Sequence, residues 1–448
     1  MTKIFSFITL LIITTFLTNC SFNDPLNFFK NKEADLKKEI LTKNTKLVFE
    51  TQKKFDKEIS GNINKTIPIS SSDNWLQTNF ASNNLVPHLE YENQKYLVYK
   101  SKKIGKNKFN LSDAFFEPLF FNEAIFFYDF SGNIYKFSIS EKKLIWKFNF
   151  YKKRYNDIPI KIKLKISDQN LMIADNLGYI YSIQTKTGQL NWAKNYGIPF
   201  RSNIKVSNKH IFILNQDNKY YEINENDGGQ NLSLETFPSF LRSKQETHIC
   251  LDSNRNNVYF VTSTGQLYSI NYITKNINWL STIFSSGKDQ SQDLFYSSPI
   301  ICKNDKIFFS SSDSTFSINS KNGNIIWQLP FATELRPIIT DDFIFLASKN
   351  GFFLNINSKT GEVVWSKDLF KNSQEIKKNK IGDIQSILLV SDQILATTTK
   401  GYFLFVNYRN GEIINYTKAS KSGFFSNPTL VNKRIYLLDK KMRVLVFN

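Results

Sequence analysis

"LASKNGFFLNINSKTGEVVWSKD", residues 346–368, sets a Gly, an alternating apolar run, a second Gly and a Trp within one short phrase. The first half, "GFFLNI" from Gly351, reads as a turn entering a strand with apolar residues on alternate faces. The second half, "GEVVW" ending at Trp365, reads as the next turn and a strand that carries a Trp. Tight hairpin turns require φ > 0, which Gly adopts freely and Asn or Asp tolerate.

The phrase recurs along the chain. Its first half returns as "GNIYKF" at Gly132, "GYIYSI" at Gly178, "GQLYSI" at Gly265 and "GYFLFV" at Gly401. Degenerate copies stand at Asn218 ("NKYYEI"), Asp313 ("DSTFSI") and Met442 ("MRVLVF"). The mean spacing is about 44 residues, the period of a β-propeller blade. The second half returns at Trp192 and Trp327, with weaker copies "KKLIW" at Trp146 and "KNINW" at Trp279. Upstream of each first turn lies another strand pair, such as "SSPIICKNDKIFFSSS" and "LRPIITDDFIFLASK". Each unit therefore reads as four short antiparallel strands.

Eight units follow. Seven are complete, beginning near Phe115, Ile160, Phe200, Gln245, Phe295, Leu335 and Ile381; the eighth, 424–448, stops after three strands. An unpaired sheet edge is a liability. The stretch "SSDNWLQTNFASNN" around Trp75 is the expected source of the missing fourth strand, which would join both chain ends in one blade. The expected fold class is thus all-β: an eight-bladed β-propeller over residues 70–448. The strand-four Trp residues are expected to pack between blades, and the 41 Phe fill the facing sheets.

The amino terminus reads differently. Ile4–Leu17, "IFSFITLLIITTFL", is apolar and shorter than a membrane span of about 20 residues. It ends in "LTNC", which resembles the lipobox of bacterial lipoproteins, with Cys20 as the acylated residue. Residues 1–19 are then a signal peptide and 20–69 a lipidated Cys with a mixed-charge tether. Ser21 after the Cys favours the outer membrane.

The formal net charge of +19, from 58 Lys and Arg against 39 Asp and Glu, raises a nucleic-acid reading. The Lys residues are spread over turns, without a basic stripe or stacking motif, so no nucleic-acid partner is expected. No Gly-rich phosphate loop, HExxH, CxxC or Gly-x-Ser-x-Gly occurs, and His88, His210 and His248 stand in different units. Nothing pairs a nucleophile with a base, and neither a catalytic residue nor a metal site is expected. Cys250 and Cys302 fall on neighbouring first strands at registers differing by one. Their side chains then point to opposite sheet faces, which predicts two buried free thiols.

The repeat, with its Gly and Trp anchors, resembles the propellers of the pyrroloquinoline quinone dehydrogenase superfamily. Its enzymes hold the quinone and Ca²⁺ over the channel, many of them on a disulfide between adjacent Cys residues. This chain has no such pair and is short for that class, so no cofactor and no small-molecule substrate are expected. Signal, lipobox, tether and eight units together are similar to the BamB family, the lipoprotein propellers of the outer-membrane β-barrel assembly (BAM) machinery. "GYFLFVNYRNGEI" lacks the blade Trp, having Asn415, as the family's seventh blade commonly does. "FPSFLRS", residues 237–243, looks like the family's Leu-Arg loop, which docks on the POTRA domains of the barrel-insertion subunit. The resemblance implies partner contacts through Leu241 and Arg242, flanked by Phe240; Ser239 replaces another Leu of the motif. It also implies an acidic contact before the fifth unit, where only Asp293 stands. On this resemblance the chain is a periplasm-facing scaffold without a catalytic step, whose partners are the insertion subunit and other assembly subunits. A quinone-dependent dehydrogenase and a cell-wall-binding propeller are the alternatives.

Overall fold

Eight four-stranded antiparallel sheets follow one another around a ring. The computed structural model describes residues 55–107, 116–152, 154–236, 246–283, 297–311, 313–371 and 376–448. Blades 1 to 7 span residues 119–149, 162–195, 205–234, 248–282, 301–329, 338–368 and 384–418, each an unbroken run of four strands from the axis outward. Blade 8 takes three strands from 429–447 and its outermost strand from Leu97–Lys100, which pairs Val444–Phe447. Eight blades closed by both chain ends is the architecture read from the repeat. The closing strand is a different one: Trp75 lies elsewhere, and Leu97–Lys100 has no Gly before it and Tyr99 in place of a Trp.

A recurring local device shapes the blades. The residue at the end of the second strand, or the one just after it, carries a short polar side chain that caps the turn into the third. Asp175 Oδ1 accepts from the N–H groups of Leu177 (2.8 Å) and Tyr179 (2.9 Å). Asn215 Oδ1 does the same for Asp217 and Lys219, both at 2.9 Å, and Asp439 Oδ1 for Lys441 and Arg443. Thr262 and Thr398 serve with their hydroxyls in other blades. Such side chains offer the backbone a turn in place of a longer strand.

The blades are tied by the strand-four Trp residues, as the sequence predicts, through a more specific contact. The indole of Trp146 donates to Thr185 O of the next blade (3.1 Å). Trp192 reaches Glu225 O, Trp279 Ser320 O, Trp327 Ser358 O and Trp365 Tyr408 O, at 3.0–3.2 Å. Each ring lies on the Gly of that next blade's last turn. A Cβ on Gly361 (φ +78°) would stand 2.8 Å from the Trp327 ring, and one on Gly411 2.6 Å from Trp365. The Gly is therefore needed twice, for its φ and for the bare face under the indole. Blades 1 and 4 carry Lys142 and Lys275 at this turn, both with positive φ. The blades before them lack the Trp, having Tyr99 and Leu232 there. At the junction of blades 3 and 4 the tie is ionic: Lys275 pairs with the fully buried Glu222, which His210 Nδ1 also meets at 2.8 Å.

Cys250 and Cys302 form a disulfide, with Cα atoms 6.4 Å apart, and are not the two free thiols expected. They sit on the inner strands His248–Asp252 and Ile301–Lys303 of blades 4 and 5. The opposite-face reading holds, but its consequence is reversed. In a ring, the lower face of one blade opposes the upper face of the next, so opposite-facing side chains meet across the junction.

Candidate functional site

The axis of the ring is where the inner strands converge, and in this chain its own residues occupy it. From Ser72 to Glu92 the backbone makes one circuit inside the ring, touching the blades in order. Asn432 N of blade 8 donates to Ser72 O (2.7 Å). Trp75 exchanges backbone bonds with Phe120 of blade 1, both 2.9 Å, and Leu76 O accepts from Ile166 N of blade 2. Ala81 O accepts from Lys205 Nζ of blade 3 (3.1 Å). Ser82 O and Asn83 O accept from Leu251 N of blade 4 and Cys302 N of blade 5, both at 3.0 Å. Leu85 packs into the cluster shared by blades 5 and 6. Leu89 N then donates to Leu389 O of blade 7, and Glu92 N to Lys433 O of blade 8. The segment has no strand period because its partner changes every one to four residues.

Two polar knots hold it. Glu117, 4 % exposed, accepts from the Trp75 indole (3.0 Å), the Asn79 N–H (2.7 Å) and Arg336 Nη1 (2.7 Å), joining blades 1 and 6 across the axis. Asn84 donates to Ile249 O (2.8 Å) and Ile300 O (2.7 Å) and accepts from Lys205 Nζ (2.6 Å), joining blades 3, 4 and 5. Burial pushes the Lys205 ammonium well below the usual lysine range, and pushes Lys165 down to about 8. A buried ion pair such as Glu117–Arg336 adds little net stability, yet losing one partner strands the other charge.

Residues 55–69, read from sequence as part of the tether, run from the outer edge of blade 6 inward, with Ile63 and Ile67 buried in the cluster shared by blades 6 and 7. Ile59 exchanges backbone bonds with Ser366 of the outermost strand of blade 6 (3.2 and 2.9 Å), and Ile63 N donates to Arg409 O of blade 7 (3.0 Å). His88 accepts from Asp392 N and faces Ile67 O, both at 3.1 Å, so it closes the strap onto the circuit. His248 is buried at the start of blade 4, and burial pushes its pKa down to about 4, against the pull of Glu246. Burial alone would raise the Glu246 carboxyl; Lys163, its ion-pair partner, brings it below the usual range.

Cys20, Phe240, Leu241, Arg242 and Asp293 all lie outside the described residues. Their flanks are described. The strands before and after 237–245 are Gln230–Leu234 of blade 3 and His248–Asp252 of blade 4. Those around 284–296 are Ile277–Thr282 of blade 4 and Ile301–Lys303 of blade 5. Both stretches are therefore blade-to-blade connections, and the strands they lead into are joined by the disulfide. The axial residues Trp75, Asn84, Glu117 and Arg336 were not legible as a group, since each lies in a separate stretch of chain.

The axial residues do not fit a planar quinone held with a divalent cation. Trp75 and Leu89 are fully buried in the space at the level of the inner strands. The buried carboxylate at that level, Glu117, is engaged by Trp75, Asn79 and Arg336. Among the described residues no three His, Cys, Asp or Glu side chains converge in a metal-holding group.

Comparison with solved structures agrees with the ring. BamB from Moraxella catarrhalis matches with a TM-score of 0.60 at 15 % identity, over 79 % of this chain and 99 % of that one. The quinohemoprotein alcohol dehydrogenase ADHIIG from Pseudomonas putida HK5 matches with a TM-score of 0.63 at 10 % identity, over 84 % of this chain and 80 % of that one. At such identities these likenesses establish the fold alone. No curated protein matches the sequence. The family model described as outer membrane protein assembly factor BamB matches residues 131–367, more than half of the chain. With that match on a ring of eight blades, this chain belongs to the BamB family of propellers.

Proposed function

We propose that the chain is an outer-membrane lipoprotein that scaffolds the assembly of β-barrel proteins. It is anchored through Cys20 on the periplasmic face, and its 237–245 connection docks on the POTRA domains of the barrel-insertion subunit. The family membership carries this reading. Two features of the chain support it. Leu241 and Arg242, with Phe240, fall in a connection between two rigid blades, the place where binding residues gather. An Arg among apolar side chains also has the composition of an interface hot spot. Asp293, in the next connection around the ring, is positioned by sequence to add an acidic contact.

The role is a binding one, without a catalytic step. The axis that would have to admit a quinone is filled by Trp75–Leu89, with Glu117 already engaged, which disfavours the dehydrogenase reading. Co-purification from solubilised membranes tests the docking: Arg242→Glu should lose the insertion subunit, while the membrane fraction retains the variant. Equal recovery of the subunit with wild type and variant removes this connection from the interface. Metabolic labelling with a palmitate analogue tests the anchor, and Cys20→Ala should abolish it.

A further inference from the structure

Between blades 7 and 8 a hollow of about 520 Å³ opens where three separate stretches of chain meet. They are the connection after strand Ile413–Lys418, the turn between strands Arg434–Leu438 and Val444–Phe447, and the closing strand Leu97–Lys100. Five cations line it: Lys100, Lys418, Lys421, Lys441 and Arg443. One carboxylate faces them, Asp439, giving a net charge of +4 (five minus one). Asp439 is fully buried and already engaged, by Arg443 Nε at 2.7 Å and by two backbone N–H groups of its own turn. Lys418 is held in place, donating to Lys400 O (2.6 Å) and lying 4.2 Å over the Tyr402 ring. Among the described residues, no carboxylate pairs with Lys100, Lys421 or Lys441.

A second hollow of about 480 Å³, between blades 4 and 5, provides the contrast. It too holds Arg255, Lys303 and Lys306, but Arg255 pairs with Asp305 and Lys303 with Asp341 (2.9 Å). Its lining nets +1, three cations against Asp252 and Asp305, whereas that between blades 7 and 8 nets +4. Concave clusters of one sign focus the field and concentrate counter-ions. Two hydroxyls add donors at the same place: Ser420, 5 % exposed, and Ser422, 3.2 Å from it.

We propose that the hollow between blades 7 and 8 binds a phosphate group. Converging lysine ammoniums act as point charges suited to a multiply charged tetrahedral anion, whereas a carboxylate is best met by a paired guanidinium fork. The one Arg is occupied by Asp439. The volume exceeds that of a bare phosphate, so the site also admits the group that carries it, such as a lipid headgroup. Burial, with Lys400 nearby, lowers the pKa of Lys418, as expected for a cation short of counter-charge. This site is independent of the docking proposed for residues 237–245.

Calorimetric titration of the full chain in nonionic detergent tests it, at about 20 mM salt where screening is weak. The probes are inorganic phosphate and dihexanoyl-phosphatidic acid, a phosphomonoester lipid, below its micelle concentration. The expected result is saturable binding that weakens at least tenfold in Lys421→Glu/Lys441→Glu. It should be unchanged in the charge-matched control Lys186→Glu/Lys359→Glu, whose positions lie in turns of blades 2 and 6. Tighter binding of the lipid assigns the site to a headgroup; equal binding assigns it to free phosphate. No saturation with either probe, or equal weakening by the control pair, overturns the proposal.

Discussion

The contact between each strand-four Trp and the next blade's Gly makes a coupled prediction at Trp327 and Gly361. Replacing Gly361 with Lys forces a side chain into φ +78°, which costs about 1–2 kcal/mol. It also drives a Cβ to 2.8 Å from the indole, and overpacking of this kind costs about 1–3 kcal/mol more. Trp327→Leu alone removes the 3.2 Å bond to Ser358 O and part of a buried ring, together about 2–4 kcal/mol. In the double variant the clash has no partner, so only the φ cost remains beside the Trp loss. The two substitutions should therefore be less damaging together than summed, by about 1–3 kcal/mol. The chain already holds this combination at the junction of blades 3 and 4, where Leu232 has the Trp position and Lys275 the Gly position. Urea unfolding of the four proteins, followed by far-ultraviolet circular dichroism, measures the coupling. Additivity within about 0.5 kcal/mol would refute the contact as the reason for the Gly.

Other positions carry simpler expectations. The unfolded chain protonates His248 near 6.5 and the folded one near 4, so the stability it contributes is full above pH 6.5 and falls as pH drops toward 4. That loss is about 3 kcal/mol, and pH-dependent unfolding of His248→Gln should show a flatter profile across this window. Unreduced protein should show no alkylation of Cys250 or Cys302 by mass spectrometry, and the double Ala variant should lose about 2–4 kcal/mol of stability. Asn84→Ala takes the side-chain donor from two buried carbonyls and leaves Lys205 with Ala81 O alone of its two partners, at a cost of about 2–5 kcal/mol by urea unfolding.

Much of the ring is written plainly in the chain, because a repeat states the same local chemistry eight times. The blade starts near Ile160, Phe200 and Leu335 fall just before the inner strands Ile162–Ser167, Lys205–Ser207 and Ile338–Ile339. What a repeat hides is which neighbour each residue serves. "GEVVW" looks like one motif, yet Gly361 answers to Trp327 and Trp365 to Gly411, so its halves belong to two junctions. That explains why blades 3 and 7 have the Gly without the Trp, and blades 1 and 4 the Trp without the Gly. Trp75 misled for a related reason: its indole binds Glu117, not a turn carbonyl, and an aromatic residue alone does not name its partner. The axial circuit was illegible because no period marks a segment that meets a new blade every few residues. The docking role proposed for Phe240, Leu241, Arg242 and Asp293 rests on family likeness, since a connection between blades answers to no repeat.

The circuit from Ser72 to Glu92 has a consequence for how the molecule is made. Those residues precede every blade in the chain, so they emerge first after export, and the blades that follow contact them in the same order. The chain thus carries its own mandrel, around which successive sheets are wound. The last strand completes the winding by pairing with Leu97–Lys100, which has waited since the beginning. A chain cut short at its carboxy terminus would forfeit more than a final sheet, because the mandrel would be left with an open side.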